Sequence, residues 1–340
     1  MNERLRKLAR IGLAALLVVT GVAGWIVGQN EYALRERQVT ITGGAQPLHG
    51  VLALPKRGHG PFGLVVFVHG DGPIDATHQT FYRPIWEALA QAGYASLAWD
   101  KPGVNGAPGN WLAQSMDDRA RETADAIAWA RQLPDVDPDR VGLWGASQAG
   151  WVMPKVAAQD PRLRFMIAVS PAINWLQQGR YNLLAELAAA HATPVEVDAA
   201  LARRERNLEL LRRGAGYAEA LAAGAADGMS AQRWGFAERN FTSDASADLA
   251  RVRIPVLLML PGRDVNVDVA DTEAGYRAHL PVPALLQIAR YPNATHSLVP
   301  AWIENNTALS TLVAVFAPRR LFTAGALTAQ RDFVARVGRG

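Results

Sequence analysis

Cysteine is absent from all 340 residues. That excludes a disulfide scaffold, a thiolate nucleophile, an iron–sulfur cluster, a Cys-ligated zinc and a lipidated N-terminal Cys. Charge is sparse, at 19% of residues, and the basic excess lies at the two ends. Residues 1–10 carry +3 and residues 317–340 carry +4, so a net charge of +4 leaves −3 for everything between. A nucleic-acid-binding body concentrates Lys and Arg on one face, so this distribution excludes nucleic acid despite a pI near 9.6. No His/Asp/Glu cluster has metal-ligand spacing and no P-loop is present. The glycines at 103–109 lack the strand–helix context of a dinucleotide fingerprint. Hydrophobic residues make up 49%, which excludes disorder and leaves ample material for a core.

One long charge-free run stands out. Ile11 to Gly28 (IGLAALLVVTGVAGWIVG) follows the basic start and reaches roughly 27 Å as a helix, close to a hydrocarbon core of about 30 Å. Basic residues before it predict a cytoplasmic N-terminus with the remainder outside, on the periplasmic side of an inner membrane. Residues 1–29 therefore read as an uncleaved signal anchor. The alternative is a signal peptide cleaved after small residues such as Gly21-Val22-Ala23, which would release the protein.

Residues 30–37 read as a polar linker, followed by strands at 38–41 and 48–54 around Gly43-Gly44. Short apolar runs then alternate with helical stretches. Strands are predicted at 64–68, 95–99, 140–144 and 165–169, with helices at 81–92, 117–133 and 148–158 between them. Successive βαβ units imply a doubly wound, mainly parallel α/β sheet. The rhythm stops over 171–250, which is rich in Ala, Leu and Arg, helical near 181–190 and 197–213, and broken by the Gly-rich piece 214–228. Strands return at 255–260 and 284–289 with a helix near 269–280 between them. The core is thus 38–170 with 251–340, and 171–250 is a helical cap inserted between two core strands.

The strand at 140–144 runs into Gly145-Ala146-Ser147-Gln148-Ala149-Gly150 and then a helix. A serine at such a turn is thrust up from the sheet, with small neighbours two before and two after. Gly145 and Ala149 meet that demand. Ser147 as nucleophile needs a base. His296 follows the strand at 284–289 in a loop, which places it on the rim where strands end. Asp264, just past the strand at 255–260, is the acid that would hold the imidazole, and Asp268 is the runner-up at a helix start. The oxyanion donors are the backbone N–H groups of Gln148 and Asp71, the latter in the turn His69-Gly70-Asp71-Gly72 after the strand at 64–68. The Asp71 carboxylate must then point away from the developing charge. Asp100 reads as a loop-ordering carboxylate. Trp111, Trp151, Trp175 and Trp234 are either pocket walls or packing.

Together His69-Gly70-Asp71-Gly72, Asp100-Lys101-Pro102-Gly103, Gly145-Ala146-Ser147-Gln148-Ala149, Gly262-Arg263-Asp264 and Thr295-His296 make residues 38–338 resemble the α/β-hydrolase superfamily. Within it the chain is similar to bacterial esterases grouped with dienelactone hydrolases, acyl-CoA thioesterases and the prolyl-oligopeptidase catalytic domain. The resemblance implies Ser147 as nucleophile, His296 as general base, Asp264 as its orienter, no cofactor, and a cap at 171–250. Ala149 and the acidic Asp71 depart from the pattern. The expectation is a serine hydrolase acting on a small-molecule acyl substrate, a carboxylic ester first. Thioester, amide or peptide cleavage and acyl transfer stay open on the same triad, and a catalytically silent tethered module is the reading from another class.

Overall fold

The computed structural model describes residues 3–226 and 228–338. Eight strands form one sheet: β1 (Leu34–Ile41), β2 (Leu48–Pro55), β3 (Phe62–Val68), β4 (Tyr94–Trp99), β5 (Val136–Ala146), β6 (Met166–Val169), β7 (Val256–Pro261) and β8 (Leu286–Tyr291). Their order across the sheet is β1-β2-β4-β3-β5-β6-β7-β8. The β1–β2 and β2–β4 pairs are antiparallel and every other pair is parallel. This is the α/β-hydrolase fold. All residues of β3, β4 and β7 are buried, as their unbroken apolar runs require in a sheet covered on both faces.

Helices α2 (Arg83–Gln91), α3 (Met116–Ala130), α4 (Met153–Gln159), α10 (Val269–His279) and α13 (Ala326–Val337) cover the two faces, with α11 (Ala301–Glu304) and α12 (Thr307–Phe316) before the last of them. The cores on the two faces are distinct. One gathers Leu52, Leu64, Leu143 and Leu258, the other Val65, Phe67, Trp86 and Phe333. Alternate residues of one strand point into opposite cores.

Three stretches differ in kind from expectation. The stretch at 30–37 is not a linker throughout: β1 begins at Leu34 and pairs with β2 from Leu34↔Pro55 to Ile41↔Leu48. Its polar sequence (LRERQ) hid it, because both faces of this edge strand are largely in water and period-2 burial is lost. Salt bridges Glu36–Arg83 and Arg37–Asp135 hold it laterally. The helix predicted over 148–158 is a 3₁₀ turn at Ser147–Trp151 followed by α4, because Pro154 fits only a helical first turn. The Gly-rich piece at 214–228 also contains a short helix, α7 (Tyr217–Ala222).

Between β6 and β7 lie α5 (Trp175–Ala189), α6 (Pro194–Arg212), α7 (Tyr217–Ala222), α8 (Ala231–Asn240) and α9 (Ser246–Leu249). They have a small core of their own, formed by Leu208, Leu211, Ala220 and Trp234. At the other end of the chain, α1 (Glu3–Asn30) is a single helix, and its portion Arg10–Asn30 is long and apolar enough to cross a membrane with none of it buried against protein.

Candidate active site

β5 ends at Ala146 and the chain turns at once into the 3₁₀ segment. Ser147 sits there at φ +55°, a left-handed conformation that costs a non-glycine residue of order 1 kcal/mol or more and persists only where the surroundings impose it. The packing shows how. A Cβ at Gly145 would lie 2.6 Å from the Ala149 methyl and 2.8 Å from the Val68 carbonyl, so the turn holds one methyl group and position 149 supplies it. A Cβ at Gly150 would lie 2.3 Å from the Ala172 carbonyl. The glycine displaced from 149 is required one residue later.

His296 lies in the loop after β8. Its Nδ1 is 2.7 Å from Asp264 Oδ2. A carboxylate only accepts, so Nδ1 carries the proton and the Nε2 lone pair is the ring's basic site. Asp264 follows β7, and its side chain is wholly buried while that of His296 keeps 18% exposure. The other carboxylate oxygen accepts the backbone N–H groups of Asn266 (2.8 Å) and Val267 (3.0 Å). Asp268 is turned elsewhere: its Oδ1 caps α10 through Ala270 and Asp271 N–H.

Ser147 and His296 line one cavity of about 490 Å³, whose apolar wall includes Phe81, Trp151, Trp175 and Phe322. Trp151 and Trp175 stack with centroids 5.0 Å apart. The other two tryptophans singled out in the sequence lie elsewhere. Trp234 is buried in the insertion's own core, with its indole N–H on the Ala215 carbonyl, and Trp111 packs on Phe236 beneath Lys101. Asp100 accepts the Ala76 N–H and orders its loop.

The turn at 69–73 faces Ser147 across a short gap, since a Cβ at Gly70 would be 3.5 Å from the Ser147 Cβ. Among the described residues, neither the Asp71 nor the Gln148 backbone N–H has a protein acceptor. The Asp71 carboxylate is engaged by Arg233 of α8 at 2.6 and 3.0 Å and by the Gln148 amide at 3.1 Å. Burial pushes the Asp71 carboxyl up, yet the Arg233 guanidinium outweighs it and holds the group below its ordinary range.

Sequence reasoning missed what holds this turn. Buried Lys101 donates to the Gly70 carbonyl (2.6 Å) and the Gly72 carbonyl (2.9 Å), and buried Arg119 donates to the His69 carbonyl (2.5 Å) and to Gln148 Oε1. Burial, then the neighbouring Arg119 charge, pulls the Lys101 ammonium well below the usual lysine range. His69 is enclosed, with Nε2 donating to the Trp99 carbonyl at 2.6 Å and Nδ1 accepting from the Tyr82 hydroxyl at 3.0 Å; burial drives its pKa down to about 3, with Lys101 adding to the shift. The insertion also reaches the acid loop, through Tyr181 hydroxyl to the Asp264 carbonyl and Gln178 to the Asn266 carbonyl.

A family model for the X-Pro dipeptidyl-peptidases (S15 family) matches residues 43–279, most of the chain and the whole of the site but His296. The chain belongs to this family. Among solved structures the S15 chain is similar to an esterase of Pyrococcus furiosus, at 16% identity over 85% of this chain and 92% of that one, with a TM-score of 0.56. It is also similar to a dienelactone hydrolase of Anabaena variabilis, at 18% identity over 90% and 97% with a TM-score of 0.51. These likenesses carry the fold. A thiohydrolase of Arthrinium phaeospermum is 32% identical over 94 residues, 27% of this chain and 30% of the relative. The S15 chain spans about a third of the length of the curated relatives it matches. Fold and family agree that the protein is an α/β-hydrolase.

Proposed function

We propose that this S15 chain is a serine hydrolase that cleaves carboxylic esters through an acyl-enzyme. One observation carries the reading: the His296–Asp264 pair, at 2.7 Å with the acid fully hydrogen-bonded, opens onto the cavity of a serine held in a strained strand-to-helix turn. Ser147 Oγ attacks the acyl carbonyl while His296 Nε2 takes its proton; the imidazolium so formed is stabilised by Asp264 and returns the proton to the leaving alkoxide. Water then enters the same cycle and releases the acid. The tetrahedral oxyanion is taken by the free N–H groups of Asp71 and Gln148. Residues 171–250 act as the cap, through Trp175 over the cavity and Arg233 on the oxyanion turn. Residues 1–29 act as an uncleaved anchor with the hydrolase domain outside the cytoplasm.

A peptidase reading is favoured by the family name. Removing a dipeptide from an N-terminus requires a site for a free ammonium group, and a carboxylate is the natural partner. Among the described residues, the only acid lining the cavity is Asp71, which Arg233 already neutralises. That observation sets the ester ahead of the X-Pro amide.

Labelling by a fluorophosphonate, with Ser147→Ala as control, tests the nucleophile. A panel of p-nitrophenyl esters, thioesters and X-Pro amides ranks the substrates. Labelling that survives Ser147→Ala, or X-Pro amides turned over faster than esters, overturns the proposal.

A further inference from the structure

α12 has the sequence TALSTLVAVF, ten residues without a charge, and not one of its side chains is buried. Leu312 is 54% exposed, Val315 39%, and Trp302 on the preceding α11 67%. An uncharged helix left bare on a water-soluble surface needs a partner. Elsewhere the exposed large apolar residues of the domain, such as Val195, Val265 and Val282, stand singly on other elements.

The partner is indicated by what α12 is tied to. Its last carbonyls accept hydrogen bonds from α1: the Trp25 indole N–H donates to the Phe316 carbonyl at 2.9 Å and the Asn30 amide to the Val315 carbonyl at 2.8 Å. Arg319, just beyond α12, donates to the Gln29 carbonyl (2.6 Å) and the Glu31 carbonyl (2.9 Å) and pairs with Glu87 of α2. The end of α1 is thereby fixed to the hydrolase domain. A helix of 21 residues spans roughly 31 Å, about one hydrocarbon core, so a bilayer crossed by residues 10–30 has its outer boundary near Trp25–Asn30. That is the level at which α12 ends. Indoles of Trp25 and Trp302 and the exposed Arg320 suit the headgroup layer.

We propose that the exposed face of α12 lies in the interfacial layer of the bilayer that α1 crosses, and that the cavity behind it admits the apolar part of the substrate from that layer. This rests on the anchor and esterase readings above. The cavity, of about 420 Å³, is walled by Thr311 and Ala314 of α12 on one side and by Phe81, Leu321 and Phe322 on the other. Phe81, Phe322 and Ser297, the neighbour of His296, also line the Ser147 cavity, and the two rings meet at 4.8 Å between centroids. The two cavities share that aromatic wall, so an acyl chain of a membrane-resident ester reaches Ser147 by displacing Phe81 or Phe322. The substrate class is an ester dissolved in the outer leaflet.

The missing cysteines make the test direct. Single nitroxide labels on the full chain, at Leu312→Cys, Val315→Cys, Leu16→Cys and Val195→Cys, are compared in phosphatidylcholine–phosphatidylglycerol vesicles for collision with oxygen and with a water-soluble nickel chelate. Labels at 312 and 315 are expected to favour oxygen several-fold, and the Val195→Cys label the chelate. Labels at 312 and 315 that match 195 overturn the docking, whatever 16 reports. A chelate-accessible label at 16 overturns the anchor and leaves the α12 result to stand by itself. Spin–spin broadening at 312 that unlabelled chain dilutes away overturns the proposal in favour of a second copy. For the entry route, Ala314→Trp fills the second cavity and is expected to lower the ratio of kcat/KM for a vesicle-dissolved decanoyl ester over a soluble acetyl ester about tenfold. An unchanged ratio overturns the route, and an unchanged circular-dichroism melt shows that the variant folds.

Discussion

The two sides of the Ser147 cavity are built on different physical plans. On the Asp264–His296 side the carboxylate is satisfied close at hand: both oxygens of Asp264 are bonded, two of the three partners being backbone N–H groups within three residues. On the oxyanion side the turn at 69–73 is held from a distance. Lys101 from the loop after β4, Arg119 from α3 and Arg233 from α8 surround a turn whose own acid is Asp71 alone. The first plan rests its charged group on near neighbours, with the insertion reaching only the carbonyls of the acid loop. The second concentrates positive charge where the proposed reaction develops negative charge, and depends on distant side chains keeping station.

The largest effects belong to the acid–base side. His296→Ala and Asp264→Asn are expected to lower kcat for a p-nitrophenyl ester by roughly 10³- to 10⁴-fold without changing the melting temperature much. Asp268→Asn, which touches only the cap of α10, is expected to stay within about threefold, since a cap contributes stability and not chemistry. Equal losses from Asp264→Asn and Asp268→Asn sink the assignment of the acid.

That side was also the legible one. Ser147 and Asp264 each follow a largely buried apolar run, RVGLW and PVLLML, from which the strand's end could be placed, whereas His296 follows the mixed, half-exposed LQIARY of β8 and was placed by its position in the loop beyond it. Periodicity told strand from helix, so it also put the three residues on one rim. The oxyanion side gives no such signal. Lys101 and Arg119 lie 31 and 50 residues from the carbonyls they hold, and Arg233 reaches Asp71 across 162 residues. A buried cation on a carbonyl leaves no pattern in the neighbouring sequence, and the first half of β1 was read as linker for the related reason that an edge strand with both faces wet has no period to read. The insertion shows a third case: polar α6 could be seen as helical, but nothing in it says which residue of α8 points at the turn.

On the oxyanion side, buried His69 makes stability depend on pH. Burial keeps the folded ring neutral down to about pH 3, whereas an unfolded histidine takes up a proton near pH 6.5. Between these values the unfolded chain binds the extra proton, so stability rises with pH through the window and is lost on acidification, by up to about 4 kcal/mol. Chemical denaturation from pH 4 to 6 measures the slope. His69→Gln keeps a donor for the Trp99 carbonyl and is expected to flatten that slope by about one proton; an unchanged slope means His69 is not the group responsible.

Lys101 comes next. Its ammonium binds the Gly70 carbonyl, and the N–H of that same peptide group belongs to Asp71. A hydrogen bond on one end of a peptide polarises the other, so the Asp71 N–H becomes a stronger donor. Lys101→Met is expected to lower kcat roughly 10- to 100-fold with KM little changed, somewhat less than outright removal of an oxyanion donor. The pH profile separates this from simple loosening. Because the Lys101 proton leaves well below the usual lysine range, kcat of the parent protein falls on the alkaline side earlier than an ordinary lysine would allow, and Lys101→Met loses that limb. A variant that keeps the limb breaks the link between the cation and the turn.

The smallest effect is the most discriminating, because it sets two charges on the distant side against each other. Arg233 and Asp71 are both partly in water, so the pair adds little to stability. Its importance is that an uncompensated Asp71 carboxylate would oppose an oxyanion forming at its own N–H. Arg233→Gln is therefore expected to lower kcat about tenfold, near 1.4 kcal/mol, by exposing that carboxylate. Asp71→Asn alone removes the negative charge and is expected to cost little, and Asp71→Asn combined with Arg233→Gln is expected to recover most of what Arg233→Gln lost. Such a positive coupling is the signature of neutralisation. If the double variant is instead as slow as the sum of the two single ones, Arg233 acts by packing α8 against the cavity, and the cap touches the oxyanion side only as a wall.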